Sequence, residues 1–329
     1  RPPQRAGART LAGEDLVLLV AGAELGELGM RLGVRARRPA EVALDADVKN
    51  STYTDKFGKR FPDRFLENFI AEQNMLGAAA GVAACGKIPF VATFAAFFTR
   101  AYDFIRMAAI SQSNMKLVGT HVGVSIGEDG PSQMGLEDLA MMSTQPGVTV
   151  LYPSDGLSMY RLMESAAAHK GMVYLRAGRP KTPVIYGADE TFRIGGSKVL
   201  RQSAADQLTI VAAGVTLFEA LKAHDQLKAA GVATRVVDLY SIVPVDQATL
   251  LDCARATGGR FLTVEDHYAH GGIGDAVLSA LASEGVRVRK LAVREIPRSG
   301  KPEELVDHFG IGVRSIVEAA KEIASTATR

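Results

Sequence analysis

The densest chemistry in the sequence lies in Gly119-Thr120-His121-Val122-Gly123-Val124-Ser125-Ile126-Gly127-Glu128-Asp129-Gly130-Pro131-Ser132-Gln133. A histidine there leaves a β-branched run and enters a glycine-rich loop with two adjacent carboxylates, followed by a Gly-Pro turn. Such a loop at the carboxyl end of a strand suits binding and proton transfer, although an ordinary long surface loop has a similar composition. One histidine and two sequential carboxylates lack a metal-ligand spacing. The glycines do not follow the strand–GxGxxG–helix order of a dinucleotide site, and neither a P-loop nor a serine nucleophile elbow is present.

Four further segments carry reactive or anion-binding side chains. Glu72, in Ile70-Ala71-Glu72-Gln73-Asn74-Met75, falls in the first turn of an expected helix, where the helix dipole favours a carboxylate and where acidic residues are also ordinary. Phe94, Phe97 and Phe98 are three of the thirteen phenylalanines and stand beside Arg100, a cluster that core packing also explains. In Arg176-Ala177-Gly178-Arg179-Pro180, the guanidinium of Arg179 suits a phosphate bidentately or is simply solvated. Glu265-Asp266-His267-Tyr268 precedes Gly271-Gly272-Ile273-Gly274, a strand end running into a helix start. It reads as an anion site of backbone N–H groups or, more simply, as a tight turn with a capped helix.

Short β-branched runs alternate with Ala-rich stretches of helical period, the pattern of βαβ units around a parallel sheet. Strands are expected at 41–44, 64–70, 88–92, 115–122, 148–152 and 173–176, and helices at 72–85, 96–111, 135–142 and 155–169. The pattern loosens over 183–205 and then resumes. Strands follow at 208–212, 234–239, 259–264 and 287–293, with helices at 215–229, 247–256, 274–283 and 312–323. The fold class is therefore α/β, two doubly wound domains each with a mainly parallel sheet flanked by helices, expected at 12–190 and 200–329. In this class, ligands sit beyond the carboxyl ends of the parallel strands.

Composition narrows the partners. With 38 basic and 36 acidic residues among 329, 22% charged and 47% hydrophobic, the chain is neither a disordered polymer nor a polycation. No basic stripe interleaved with aromatics marks a nucleic-acid binder, so small molecules or other protein chains are expected. The run Leu16-Val17-Leu18-Leu19-Val20 is bounded by Glu14 and Asp15 before it and Glu24 and Glu27 after it. It falls short of the roughly seven uninterrupted apolar residues of a secretory core. No stretch approaches the roughly 18–20 apolar residues of a membrane span. Cys85 and Cys253 lie far apart and form neither a disulfide framework nor a ligand pair, which fits a reducing cytoplasm.

Taken together, the segments at 70–75, 93–100, 121–133, 152–156, Arg179-Pro180 and 263–274 occur in the order and approximate spacing seen in transketolase. The chain resembles the carboxyl-terminal part of the animal-type enzyme from about Asp45 onward. The resemblance implies a pyrimidine-binding domain followed by the carboxyl-terminal domain. The family's amino-terminal domain, whose Gly-Asp-Gly motif holds Mg2+ or Ca2+ against the cofactor's diphosphate, has no counterpart here. Either a separate amino-terminal subunit supplies it, in an α2β2 heterotetramer as in split transketolases, or this chain is a fragment of a longer one.

By the same resemblance, Glu72 matches the glutamate that hydrogen-bonds a pyrimidine nitrogen of thiamine diphosphate and activates it. Phe97 matches the aromatic residue stacked on that ring, with Phe94 beside it, and Gln133 matches a further cofactor contact. His121, grouped with Glu72 as catalytic, and Asp129 match residues that touch substrate. Ser51 and Arg179 match groups that help hold a sugar phosphate. The implied activity is transfer of a two-carbon ketol group from a ketose to an aldose. One departure stands out: Gly22 occupies the expected place of a phosphate-binding arginine, which leaves the substrate's phosphorylation open. The β subunit of a 2-oxoacid dehydrogenase and a non-catalytic scaffold homologue are the competing readings.

Overall fold

A computed structural model of the protein describes residues 40–325. The first unit contains β1 (Glu41–Asp45), α1 (Lys49–Thr52), α2 (Thr54–Arg60), β2 (Phe65–Glu67), α3 (Glu72–Ala84), β3 (Ile88–Phe94), α4 (Tyr102–Ile110), β4 (Lys116–Thr120), α5 (Asp138–Ser143), β5 (Thr149–Leu151), α6 (Gly156–Ala168) and β6 (Val173–Arg176). The second continues with β7 (Lys198–Arg201), β8 (Leu208–Ala212), α7 (Val215–Ala229), β9 (Thr234–Asp238), β10 (Ser241–Val243), α8 (Gln247–Ala256), β11 (Arg260–Tyr268), α9 (Ile273–Ala280), β12 (Arg287–Val293), α10 (Pro302–His308) and α11 (Val313–Ser325).

Two sheets organise the described residues. Seven strands run in the order β10-β5-β6-β4-β3-β1-β2 and five in the order β12-β11-β8-β9-β7. Every pairing is parallel except β10 with β5 and β7 with β9. Helices cover the faces, so the central strands are apolar runs; all seven residues of β3 are buried. Even Lys116 on β4 is buried. Its ammonium donates to Asn114 Oδ1 at 2.9 Å and to the carbonyls of His169 and Gly171 at 2.8 and 2.6 Å, and burial lowers its pKa to about 8. Helix α6 begins with a reciprocal cap: Asp155 Oδ1 accepts from Ser158 N at 2.7 Å, and Ser158 Oγ accepts from Asp155 N at 3.0 Å.

The structure departs from the expected elements where local geometry or a distant partner intervenes. The strand expected over 64–70 shrinks to β2, because 62–64 forms a 3₁₀ turn and Phe69 adopts a φ of 53°. The helix expected at 96–111 is a 3₁₀ segment, Ala95–Ala101, leading into α4. The strand expected through Val122 stops at Thr120, since His121 turns to a φ of 57°. The helix expected from Gly135 begins at Asp138, because Gly135 is spent on a bridge in which Gly123 N donates to its carbonyl and its own N–H donates to His121 O. Strands β7 and β10 and helix α10 were not anticipated, and β11 runs on to Tyr268 rather than ending at Val264. Gly22 and the other residues before 40 lie outside the described residues.

The two units share buried structure. Strand β10 follows β9 of the second sheet yet pairs with β5 of the first, and Tyr152 N donates to Tyr240 O at 2.7 Å. Beside that seam, wholly buried Arg176 ends β6. Its guanidinium donates to Asp138 Oδ2 at 2.8 Å and Oδ1 at 3.0 Å, to Gly135 O at 3.0 Å and to Asp266 O at 3.0 Å, and it lies 4.5 Å from the Tyr152 ring centroid. Tyr174 Oη also donates to Asp138 Oδ2, at 2.7 Å. Despite their burial, the two charges hold each other ionised: Arg176 is shifted upward and Asp138 downward from their ordinary values. Removing either partner of such a pair leaves a buried charge uncompensated, at a cost of about 3–5 kcal/mol.

Candidate active site

Because β1, β2, β3, β4 and β6 are parallel neighbours, their carboxyl ends meet at one edge of the first sheet. That edge gathers α1 with Ser51 after β1, Glu72 at the start of α3 after β2, Phe94 and the 95–101 segment after β3, His121 after β4, and Arg179 after β6.

The centre is a stack of three rings. Phe97 lies 5.0 Å from Phe94 between centroids at an interplanar angle of 23°, and Phe94 lies 3.7 Å from the His121 imidazole at 18°. Phe94 is buried and Phe97 half-buried, so an aromatic wall is built from one strand end and the turn that follows it. The imidazole is held by Thr120 Oγ1, 3.0 Å from His121 Nδ1. Burial lowers the His121 pKa to about 4, outweighing the opposing pull of Asp129. His121 is therefore neutral at physiological pH and offers one N–H donor and one acceptor.

Asp129 joins two of the other residues. Its Oδ2 lies 3.8 Å from His121 Nε2, and its Oδ1 lies 3.2 Å from Arg179 Nη1, which also donates to Ile126 O at 3.0 Å. Asp129 and Arg179 are partly exposed, which leaves this His–Asp–Arg row open to a polar ligand. Glu72 is 3% exposed and accepts from Arg100 Nη1 at 3.3 Å, while the same guanidinium atom reaches Ile70 O at 3.4 Å.

The structure thus brings Phe94, Phe97, His121, Asp129 and Arg179 into one connected set, with Glu72 on the same sheet edge. Two of the expected residues stand apart from that set. The Gln133 side chain accepts from Ser132 Oγ at 2.7 Å, and Ser51 sits on α1, its N–H donating to Val48 O at 2.8 Å. Helix α1 is pinned by Asp45 at the end of β1. This carboxylate accepts from Thr52 Oγ1 at 2.6 Å, Thr54 Oγ1 at 2.8 Å and Val48 N at 2.8 Å.

Sequence reasoning assigned no role to Asp45, Arg100 or Asp266. Asp45 had a faint local signal, an acid at a strand end followed by two threonines. Asp266 had none, because its partners, Val124 N and Ser125 N, are 142 and 141 residues away. The Glu265–Gly274 turn follows the simpler of its two readings. Glu265 itself accepts from Ile273 N at 2.5 Å and Gly274 N at 3.2 Å, so the start of α9 is already occupied by the protein's own carboxylate.

A half-buried aromatic wall on a sheet edge that also carries a buried carboxylate fits a heteroaromatic ring with a polar edge. Among the described residues, no group of three or more His, Cys, Asp and Glu side chains is placed to hold a metal ion.

Comparison with known proteins places the chain in a family. Residues 33–184 match the family model for the transketolase pyrimidine-binding domain, and 197–316 match that for the transketolase C-terminal domain. The chain is 56% identical over 283 residues to mouse transketolase-like protein 2, covering 85% of this chain and 45% of that protein. It is 54% identical over 286 residues to rat transketolase, covering 86% of this chain and 46% of that enzyme. The chain therefore spans about half the length of the curated relatives it matches. Among solved structures, a split-gene transketolase described as an inactive β4 tetramer superposes with a TM-score of 0.79 at 37% identity, covering 91% of this chain and 94% of that one. With both family models matched and a structural relative aligned over nearly its whole length, the chain belongs to the transketolase family.

Proposed function

We propose that this chain is the pyrimidine-binding and carboxyl-terminal part of a transketolase, and that a second polypeptide supplies the diphosphate- and metal-binding domain. The complete enzyme then moves a two-carbon ketol group from a ketose, or ketose phosphate, to an aldose or aldose phosphate. The observation that carries the reading is the assembly, on one sheet edge of a transketolase-family chain, of buried Glu72, the Phe97–Phe94–His121 stack and the His121–Asp129–Arg179 row. Thiamine diphosphate, when bound, supplies the electron sink for breaking the carbon–carbon bond. Mg2+ or Ca2+ would be held with the diphosphate by the partner.

Within that reading, each side chain has a physical task. Phe97 and Phe94 orient the pyrimidine by ring contact and exclude water from its face, and Gln133 adds a polar contact at the rim. Glu72, buried on the same sheet edge, exchanges a proton with a ring nitrogen. Neutral His121 shares hydrogen bonds with sugar hydroxyls as proton donor or acceptor, and Asp129 orients it from the Nε2 side. Arg179 offers a positive fork to a phosphate, and Ser51 offers a hydroxyl donor. Two free thiols, Cys85 exposed and Cys253 buried, accord with the cytoplasmic location we propose.

The arrangement as separate chains draws support from the split-gene relative, and we propose an α2β2 assembly. The identity to longer animal relatives supports a second arrangement, the same two domains continuous with the diphosphate domain in one polypeptide. The decisive experiment mixes this chain with a transketolase amino-terminal domain, thiamine diphosphate, Mg2+, a ketose phosphate and an aldose phosphate. Ketol transfer is expected from the mixture and none from the chain alone. Full activity of the chain alone would overturn the need for a partner. Decarboxylation of a 2-oxoacid without ketol transfer would support the dehydrogenase reading. A complex that takes up no cofactor in calorimetry would support a scaffold.

A further inference from the structure

The loop that carries Asp129 is not self-supporting. Val124–Asp129 is a pair of 3₁₀ turns interrupted at Gly127, which takes the non-helical angles φ 82° and ψ −114°. The first N–H groups of such a segment have no partner within it and, when buried, must find one elsewhere. Val124 and Ser125 are buried, and they find theirs on the other unit: Val124 N donates to Asp266 Oδ1 at 2.7 Å and Ser125 N donates to Asp266 Oδ2 at 3.1 Å. Asp266 is wholly buried near the end of β11, and its own carbonyl accepts from Arg176 Nη2 at 3.0 Å. Gly123, at a φ of 79°, permits the approach, since a Cβ there would lie 2.0 Å from Asp266 Oδ2. Two residues further along β11, Tyr268 N donates to Leu136 O at 2.9 Å, beyond the other end of the same loop.

We propose that Asp266 is a positioning residue: from the carboxyl-terminal unit it anchors the 123–129 segment, and through that segment it fixes where Asp129 stands relative to His121 and Arg179. The second unit thereby acts on sugar binding without touching the sugar. This rests on the reading of Asp129 and His121 as substrate contacts given above. A carboxylate suits the task because it accepts two backbone N–H groups at once, whereas an asparagine amide accepts one and presents a donor to the other.

The test has two arms. In the chain alone, amide hydrogen exchange at Val124 and Ser125 is compared among the wild type, Asp266→Asn and Glu265→Gln, the last altering the adjacent buried acid that touches α9 instead of the loop. Asp266→Asn is expected to speed exchange at these two amides by about tenfold or more, the equivalent of one lost charge-assisted hydrogen bond, with Glu265→Gln leaving them unchanged. Gly123→Ala strikes the same contact from the loop side and is expected to speed the same amides, so the result does not depend on one variant folding. In the reconstituted enzyme, Asp266→Asn is expected to lower kcat/KM for a ketose phosphate about tenfold, mainly through KM. Unchanged exchange in both loop variants, equal acceleration by Glu265→Gln, or accelerated exchange with an unaltered KM would each overturn the proposal. Absence of ketol transfer by the wild-type mixture would instead count against the functional reading, and the exchange comparison would still decide the anchor.

Discussion

Glu72 and Glu265 hold comparable places in two α/β units, each buried beside the first turn of a helix at the carboxyl side of parallel strands, and they differ in what surrounds them. Glu265 is consumed by its own fold. It accepts from Ile273 N and Gly274 N, and a Cβ on Gly272 would lie 1.9 Å from its Oε2, so no room remains for an outside anion. Asp275 closes the same turn by accepting from Gly271 N at 2.6 Å and from Lys290 Nζ at 2.7 Å. Glu72 is bonded to one half-exposed guanidinium, that of Arg100, at the long distance of 3.3 Å. Both units present the sheet edge where this fold class binds ligands, but at one edge the carboxylate is spent on backbone N–H groups and at the other it meets a single long ion pair.

The difference can be broken or sharpened by substitution. Glu72→Gln is expected to lower kcat of the reconstituted enzyme by about 10²–10⁴-fold, the usual worth of a positioned proton-transfer group, while thermal unfolding of the chain stays close to wild type. Retained activity would place Glu72 among the structural acids with Glu265.

Glu265 should report through pH instead. Burial raises its pKa from 4.5 to about 7, against the pull of its two N–H donors. Between these values the unfolded chain releases a proton that the folded chain keeps. Its contribution to stability is therefore full below about pH 4.5 and is lost as pH rises through about 7. Chemical denaturation of Glu265→Gln across that window should show a shallower fall in stability than wild type, by about 1–3 kcal/mol over the whole range, with ketol transfer retained. Parallel pH profiles for the two proteins would show that the carboxyl titrates alike folded and unfolded.

The smallest effect is expected of Arg100→Ala. An ion pair with one partner 54% exposed contributes about 1 kcal/mol or less, so the unfolding midpoint should barely move. A large loss of stability would mean that Glu72 is held by its fold as firmly as Glu265 is.

Much of this architecture was legible along the chain. The buried run of β3 and the helix opening at Glu72 follow from hydrophobic pattern and start signals, and the structure keeps both near the expected bounds. Phe94, Phe97, His121 and Arg179 lie at or just beyond strand ends, whereas Asp129 stands on the 124–129 segment that Asp266 holds from the other unit. Parallel topology brings the first four to one edge. What was hidden has physical causes. Strand β10 is three residues long and could not announce that it crosses to the other sheet. Arg176 carried no expected role beside Arg179, yet it is wholly buried, where Asp138 and two carbonyls accept from it.

The amino-acid sequence by itself determined the alternation of strands and helices, the glycines that let the 119–133 loop turn, and the residue types available at the strand ends. These depend on side-chain periodicity and backbone freedom, which act over a few residues. Tertiary structure alone decided which acids remain available. Whether a carboxylate meets a backbone N–H, a guanidinium or an open edge depends on elements brought together from as far as 142 residues apart, as Asp266 and Val124 are. Burial then sets the energetic weight of each meeting, because an unpartnered polar group inside the protein costs far more than one in water.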